Sequence, residues 1–364
     1  MLSARLIEHA DDLKTLAPMW DALLQRSEFV SIFGTAGFAK SWWHAYGPSR
    51  ALRVVVVEDS SSGVRLIAPF CVELSSPGYW ELIGNFRADY NNLVFASGDI
   101  ESLDFLFSWL QHNNRWHVLQ FGNIPGDSAV LHYFRHASEP TSGYMHRARS
   151  WLDIRKALAY RSWHTQHPVI GREYLGRFTE IMDRPSHRKH VNWFTRMGCL
   201  RYRCITNCRE IRLHLDEFMD IHIAQRKAKG EESLFLNAEN RVFYMRLTED
   251  LEPYNALRMD VLTLDDRIVA AHIGFDWSNR IYYYKPCHDP AFNSHSPGKL
   301  LLAHILRSAF QQGTEEVDLL KGREPYKEKY ASEIRATGTL MIYRSRSDAL
   351  FQKLKRWRNP QGAL

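Results

Sequence analysis

The chain has 364 residues, 45% hydrophobic and 24% charged, with a formal net charge of +6. That length exceeds one typical core, so two domains are expected, and the balance excludes a disordered chain. The excess charge suits an anionic ligand such as a nucleotide, a phosphorylated carrier or RNA, while five scattered cysteines exclude a disulfide framework and fit a reduced, cytoplasmic setting.

The opening "MLSARLIEHADDLKTL" has no apolar signal core, and no run of about 18 apolar residues is present to span a membrane. Helical spacing marks "DLKTLAPMWDALLQ" and "TAGFAKSWWHAYG". "ALRVVVVEDSSSGVRLIAPFCVEL" reads as two strands about a Ser/Gly turn, "ESLDFLFSWLQ" as a helix and "RWHVLQFGNI" as a strand. Past residue 160, helices follow through "YLGRFTEIMD" and "HRKHVNWFTRMG", then the strand "LRYRCIT". Helices return in "IRLHLDEFMDIHIAQRKA" and "NRVFYMRLTEDL". "LRMDVLTLDDRIVAAHIGFDW" is a second hairpin and "RIYYYKPCHD" a further strand. The small-residue turn in "SHSPGKLLLAHILRSAF" then enters an apolar helix, and "EEVDLLKG" closes as a strand. The tail "DALFQKLKRWRN" reads as a basic amphipathic helix.

The two halves repeat one pattern of hairpin, strand, apolar helix and strand ending in glycine, at Gly122 and Gly322. A duplicated mixed α/β unit is therefore expected: residues 1–160, a joint near 155–170, residues 165–345, and a basic helix over 346–364. The copies differ. Val118 in the first corresponds to Asp318 in the second, and only the second has a turn like "SPGK" before its helix. The second is expected to carry the chemistry and the first to line the substrate.

"SHSPGKLLLAHILRSAFQQGTEEVDLLKGREPYKEKYA" resembles the C-terminal signature of the CelD-like acetyltransferase-like proteins. These are a branch of the GNAT superfamily close to the FemAB aminoacyltransferases. "DIHIAQRKAKG" and "RIVAAHIGFDWSNRIYYYKPCHDPAFNSHSPG" are similar to the same pattern. The resemblance implies tandem GNAT-like domains and an acyl-CoA donor, acetyl-CoA above all. In that family a Q/R-x-x-G-x-G/A turn holds the donor pyrophosphate. Here Asn293, Ser294, His295, Ser296, Gly298 and Lys299 occupy it, with Asn for Gln or Arg and Ser for the first Gly. The FemAB relatives take aminoacyl-tRNA instead, so both donors stay open. The acceptor implied is a small-molecule or carrier-bound amine; tRNA is a possible partner, DNA is not, and no metal is called for.

Amine acylation needs a neutral amine, donors for the oxyanion and a proton for the leaving group. His272 alternates with Ala270 and Gly274 on one strand face, where it is either a base or a hydrogen-bonded structural histidine. Asp318 is a carboxylate in an apolar strand, which is costly unless paired or used. By resemblance Lys327 is the lysine that follows an aromatic, placed for a phosphate or the oxyanion. Tyr326 is placed to protonate the leaving group, and Arg323 and Glu324 complete that turn. His222 and Arg226 lie four apart on one helical face and suit a substrate anion. Tyr284 is counted with them, as is the polar knot of Arg87, Asp89 and Tyr90. Cys199, Cys204 and Cys208 with His187 or His190 match no zinc spacing, and no G-x-S-x-G supports a serine hydrolase. The expected function is N-acyl transfer by direct attack. The rivals are a Fem-like aminoacyl-tRNA transferase and a non-catalytic nucleotide- or RNA-binding pair.

Overall fold

Four consecutive valines, Val54 to Val57, pair with Leu66 to Pro69 and are fully buried. Such β-branched runs favour a strand covered on both faces. The computed structural model describes residues 1–113, 115–134, 146–147, 158–179, 184–322, 324–345 and 347–348. The chain divides into two compact units, Met1–Thr165 with Ala336–Leu364, and Gln166–Arg335.

The first unit runs β1 (Leu2–Ile7), α1 (Ala10–Leu24), α2 (Ala36–Tyr46), β2 (Arg50–Asp59), β3 (Gly63–Glu73), β4 (Tyr79–Leu82), β5 (Val94–Phe95), α3 (Ile100–His112), β6 (Val118–Pro125) and α4 (Ala129–Tyr133). Strands β1 to β4 pair antiparallel in sequence order, β5 pairs with β3, and β4 pairs parallel with β6. Aromatic residues fill its core, with Phe70, Trp80, Phe107 and Phe121 all at 0% exposure. Next come β7 (His146–Arg147) and β8 (Leu158–Gly171), which pair with each other. The expected joint is therefore strand, and the unit boundary at Thr165 falls inside β8.

The second unit continues with α5 (Arg172–Thr179), α6 (Pro185–Met197), β9 (Leu200–Ile205), α7 (Cys208–Ala228), α8 (Ala238–Asp250), β10 (Leu257–Leu264), β11 (Arg267–Trp277), β12 (Arg280–His288), α9 (Pro297–Gln312), β13 (Glu316–Asp318), α10 (Pro325–Tyr330) and β14 (Glu333–Tyr343). Strands β9 to β12 form an antiparallel meander, β12 pairs parallel with β13, and β13 pairs antiparallel with β8. In the first unit β14 takes the matching place against β6. Each unit thus has the same strand order and sense. The last strand of the first unit comes from the far end of the chain, whereas that of the second, Val169–Gly171 of β8, opens its own contiguous run.

Two elements differ from expectation. The strand expected through Gly322 stops at Asp318, because the Asp318 carboxylate accepts the Leu320 N–H at 2.8 Å and turns the chain. The helix expected from the Ser294 turn starts at Pro297, with Pro290–His295 as a 3₁₀ turn before it. The basic tail lies outside the described residues, apart from 347–348.

Candidate active site

Glu316, facing Arg280 across the β12–β13 pair, receives the guanidinium groups of both Arg280 and Arg335 and closes one end of that pair. At the other end Tyr282 faces Asp318, where β13 stops while β12 runs on to His288. From Tyr283 onward the β13-facing edge of β12 thus outruns its partner strand. Leu320 sits at φ 57°, a left-handed conformation that a bulky residue adopts only under strain. Strain of this kind concentrates where a chain is held for function.

Beyond it, the Lys327 ammonium donates to the Lys321 carbonyl at 3.0 Å and pairs with Glu324 at 3.1 Å. Gly322, at φ 146°, leaves the room this needs; a Cβ there would collide with the Glu324 carboxylate and the Lys327 ammonium. Lys327 is 5% exposed, so it clamps the turn as well as placing a charge. Tyr326 packs against the core, and burial, with Glu324 nearby, pushes its phenol well above the usual range. Tyr326 in turn, after burial, raises the phenol of Tyr283. Arg323 lies outside the described residues.

The α9 turn follows directly from the C-terminal end of β12, so it lies at the edge where the parallel strands part. Ser296, at φ 52°, is its N-cap and gives no side-chain cap; Pro297 holds the first position, and the first turn has no acid. The amides of Lys299 and Leu300 reach the Ser296 carbonyl. Pro297 has no N–H and those two amides are engaged, so the first turn offers an anion the Gly298 amide and the positive helix end, with no capping side chain in competition. Asn293 Oδ1 accepts from His288 Nε2 at 2.7 Å, and His288 Nδ1 accepts from Gln225 Nε2 at 2.6 Å. A Cβ at Gly298 would sit 3.3 Å from His288 Nδ1, close enough that the imidazole would have to give by a few tenths of an ångström. His295 stacks on Trp193 at 3.5 Å. The exposed side chains of Ser294 and Lys299 border the turn.

The helix α7 therefore reaches the turn through Gln225 rather than through the expected pair. His222 is 2% exposed and its Nδ1 meets Ser233 Oγ at 2.8 Å; burial first, then the charge of Arg226, holds it down to about 4. Arg226 points outward to Glu231.

His272 is fully buried. Its Nδ1 is 3.0 Å from Asp260 Oδ2, and its Nε2 accepts from the Tyr284 amide at 3.1 Å. The small residues around it make room for the imidazole itself: a Cβ on Gly274 would collide with the ring. Opposite Gly274 the register shifts, so that Ile273 pairs with Lys285 but Phe275 with Tyr282. The imidazole takes the N–H freed by this bulge. Asp260 also binds Arg258 through two contacts, 3.0 and 2.6 Å, and the Tyr202 hydroxyl at 2.6 Å. These charges hold the Asp260 carboxyl far below its usual range despite burial. With both ring nitrogens engaged, His272 braces β12 rather than facing a ligand. Tyr284 stacks on Tyr244, with Lys285 over its ring.

The first-unit candidates have partners within their own unit. Arg87 Nε donates to the Tyr46 hydroxyl at 2.8 Å, Asp89 is buried, and Tyr90 packs on Phe29. Cys199 is exposed and Cys208 buried; burial and Asp260 push the Cys204 thiol up to about 12. Among the described residues no group of three or more His, Cys, Asp or Glu could hold a metal ion. No described helix is long and apolar enough to cross a membrane.

Sequence reasoning missed Asp260, Arg258, Gln225 and Tyr283. A carboxylate within "LRMDVLTL" carries the same signal that singled out Asp318.

Comparison with known proteins bears on this arrangement. Residues 183–328 match the family model described as acetyltransferase (GNAT) domain. Among solved structures, FemX is similar over 96% of this chain and 99% of its own, at 9% identity and TM-score 0.61. L-PGS from Bacillus licheniformis is similar over 95% and 96%, at 12% identity and TM-score 0.53. A tandem GNAT protein from the clavulanic acid biosynthesis pathway is similar over 93% and 98%, at 12% identity and TM-score 0.50. No curated protein matches the sequence. Residues 183–328 thus match the GNAT acetyltransferase domain, and the chain as a whole has the fold of tandem GNAT proteins.

Proposed function

We propose that this acyltransferase moves an acyl group from acyl-CoA to the amine of a small molecule or carrier, by direct attack and without a covalent enzyme intermediate. The observation that carries the reading is the uncapped, acid-free N-terminus of α9 beside the parting of β12 and β13. The turn from Asn293 to Lys299 holds the pyrophosphate, and the edge of β12 that outruns β13 lies beside it for the thioester carbonyl. The amine attacks that carbonyl, the C–S bond breaks, Tyr326, kept protonated by burial, gives its proton to the departing thiolate, and the proton shed by the acylated nitrogen restores the phenol. Lys327 supports the developing negative charge, and Asp318 holds the turn that ends β13. Arg87, Asp89 and Tyr90 remain candidates for the acceptor. The CelD-like assignment belongs to the same reading and rests on "SHSPGKLLLAHILRSAF" and the strands around it. A Fem-like aminoacyl-tRNA donor is the second reading, favoured by an acid-free basic run over residues 184–203.

Acetyl-CoA should raise the melting temperature, with stabilisation of about 2.7 kcal/mol at one hundred times its Kd. Lys299→Glu places an acid in the first turn and should weaken acetyl-CoA about tenfold without loss of fold, since Lys299 is exposed. Stabilisation by charged tRNA and none by acetyl-CoA would replace the first reading with the second.

A further inference from the structure

His288 is the last residue of β12, and the sheet fixes its backbone. It lies opposite Ala270 of β11, and the next amide, that of Asp289, donates to the Val269 carbonyl at 3.0 Å. The Asp289 carboxylate pairs with Arg267 and accepts the Ala291 amide at 2.9 Å, which sets the start of the 3₁₀ turn over Pro290–His295. The imidazole is thus mounted on a firm base at the entry to the α9 turn.

The ring joins two side-chain amides. Gln225 of α7, 7% exposed, donates from Nε2 to His288 Nδ1, and His288 donates from Nε2 to Asn293 Oδ1. Burial first lowers the pKa of His288; the bond to Asn293 opposes it, and the charges of Lys229 and Asp289 act in opposite senses. A neutral imidazole accepts at one nitrogen and donates at the other, so it passes polarity along. With a donor at Nδ1 the proton sits on Nε2, and Asn293 must turn its oxygen inward. Asn293 is exposed, and its Nδ2 has no hydrogen-bond partner among the described residues.

That loose amide end counts because backbone donors are scarce at this helix end. Pro297 has no N–H, and the Lys299 and Leu300 amides reach the Ser296 carbonyl, which leaves the amide of Gly298. The imidazole borders the same glycine, close enough that a Cβ would be 3.3 Å from Nδ1. We infer, on the reading that the α9 turn holds the donor's pyrophosphate, that His288 is a positioning residue: it holds the Asn293 amide with Nδ2–H toward the anion, beside the Gly298 amide. Freed from His288, the amide can turn over and present Oδ1, an acceptor where the phosphate oxygens need a donor. Gln225 acts one step further back, by keeping the proton on Nε2.

The test is titration calorimetry with acetyl-CoA on the full chain, with melting temperatures as a check on the fold. His288→Ala should weaken acetyl-CoA about tenfold, the scale of one hydrogen bond to a charged group. His288→Gln, which keeps an N–H for Asn293 and an acceptor for Gln225, should restore most of that affinity. Asn293→Ala should match the loss of His288→Ala and add nothing to it in the double variant, because the two act as one unit. Gln225→Met, which frees the tautomer, should weaken binding about threefold. Acetyl-pantetheine, which lacks the pyrophosphate, should bind the parent and His288→Ala alike. A histidine that served only the fold would lower the melting temperature without this coupling to Asn293. Unchanged affinity in His288→Ala, or in Gln225→Met where His288→Ala does not fold, would overturn the inference and leave the donor reading intact. So would losses that simply add in the double variant, or an equal loss for acetyl-pantetheine. A parent chain that does not bind acetyl-CoA at all would overturn the donor reading and the inference with it.

Discussion

In the first unit the helix that joins the two parallel strands begins with a carboxylate; in the second it begins with a bare turn. Asp99 caps α3 by accepting the Ser102 amide, Glu101 stands in the first turn, and Arg65 pairs with Asp99 at 2.7 Å. An incoming phosphate there would meet two carboxylates where it needs donors. At α9 the cap side chain is silent, the acids are gone and Lys299 is in place. The scaffolds also differ inside. β2 and β3 bury apolar runs, whereas β10 and β11 bury Arg258, Asp260 and His272 at 0–1% exposure. One strand order can therefore serve as a wall in one copy and as a site in the other; what separates them is who occupies the helix end and what braces the bulge.

The comparison breaks first at the buried charges. Arg258→Met leaves Asp260 and His272 without their cation in a dry core, and should cost about 3–5 kcal/mol in urea unfolding. A loss below about 1 kcal/mol would make this network no more demanding than the apolar strands of the first unit. The next effect is on acid stability. His222 titrates at about 4 when folded and near 6.5 when unfolded, so between these values the unfolded chain binds the extra proton. Stability from this group is full above pH 6.5 and falls as pH drops toward 4, by roughly 3 kcal/mol in the limit. Urea midpoints at pH 7 and 4.5 should show the fall, and His222→Gln should flatten it.

Lys327→Met comes next. It should lower single-turnover acyl transfer by about 10²-fold, the scale of one lost oxyanion donor. It should also destabilise the second unit, because the buried ammonium holds the Lys321 carbonyl. At 5% exposure the ammonium is too deep for its loss to leave stability untouched. A stable variant with full turnover would remove the lysine from both roles. The smallest effect sharpens the contrast. Asp99→Ala removes the α3 cap and should cost about 1 kcal/mol, with the affinity for acetyl-CoA unchanged. Altered donor affinity would show that the first unit also takes the donor.

Much of this frame can be read from residue order alone. Period-two alternation found both hairpins, and helical spacing found α1, α2, α3, α7 and α9, because each signal is local. The site was less legible. Asp318 was conspicuous as a lone acid, but its bond to the Leu320 amide, which ends β13, depends on a left-handed leucine that no propensity suggests. His222 and Arg226 looked like a pair by spacing, yet the residue between them, Gln225, is the one that faces His288. The Asp260 network joins β9, β10 and β11, and its partners Tyr202, Arg258 and His272 meet only once the register is fixed.

The late arrival of the first unit's closing strand bears on how the molecule is made. β6 finds its second neighbour in β14, with Pro125 opposite Thr337. Roughly 210 residues must be synthesised between the two, which takes about 10–40 s at ordinary elongation rates. For that time the ribosome carries a first unit whose sheet ends in a naked edge, open to pairing with any neighbouring nascent chain. Vectorial folding cannot finish the first unit early. Its completion is tied to the emergence of the second, so the two copies of the fold mature together.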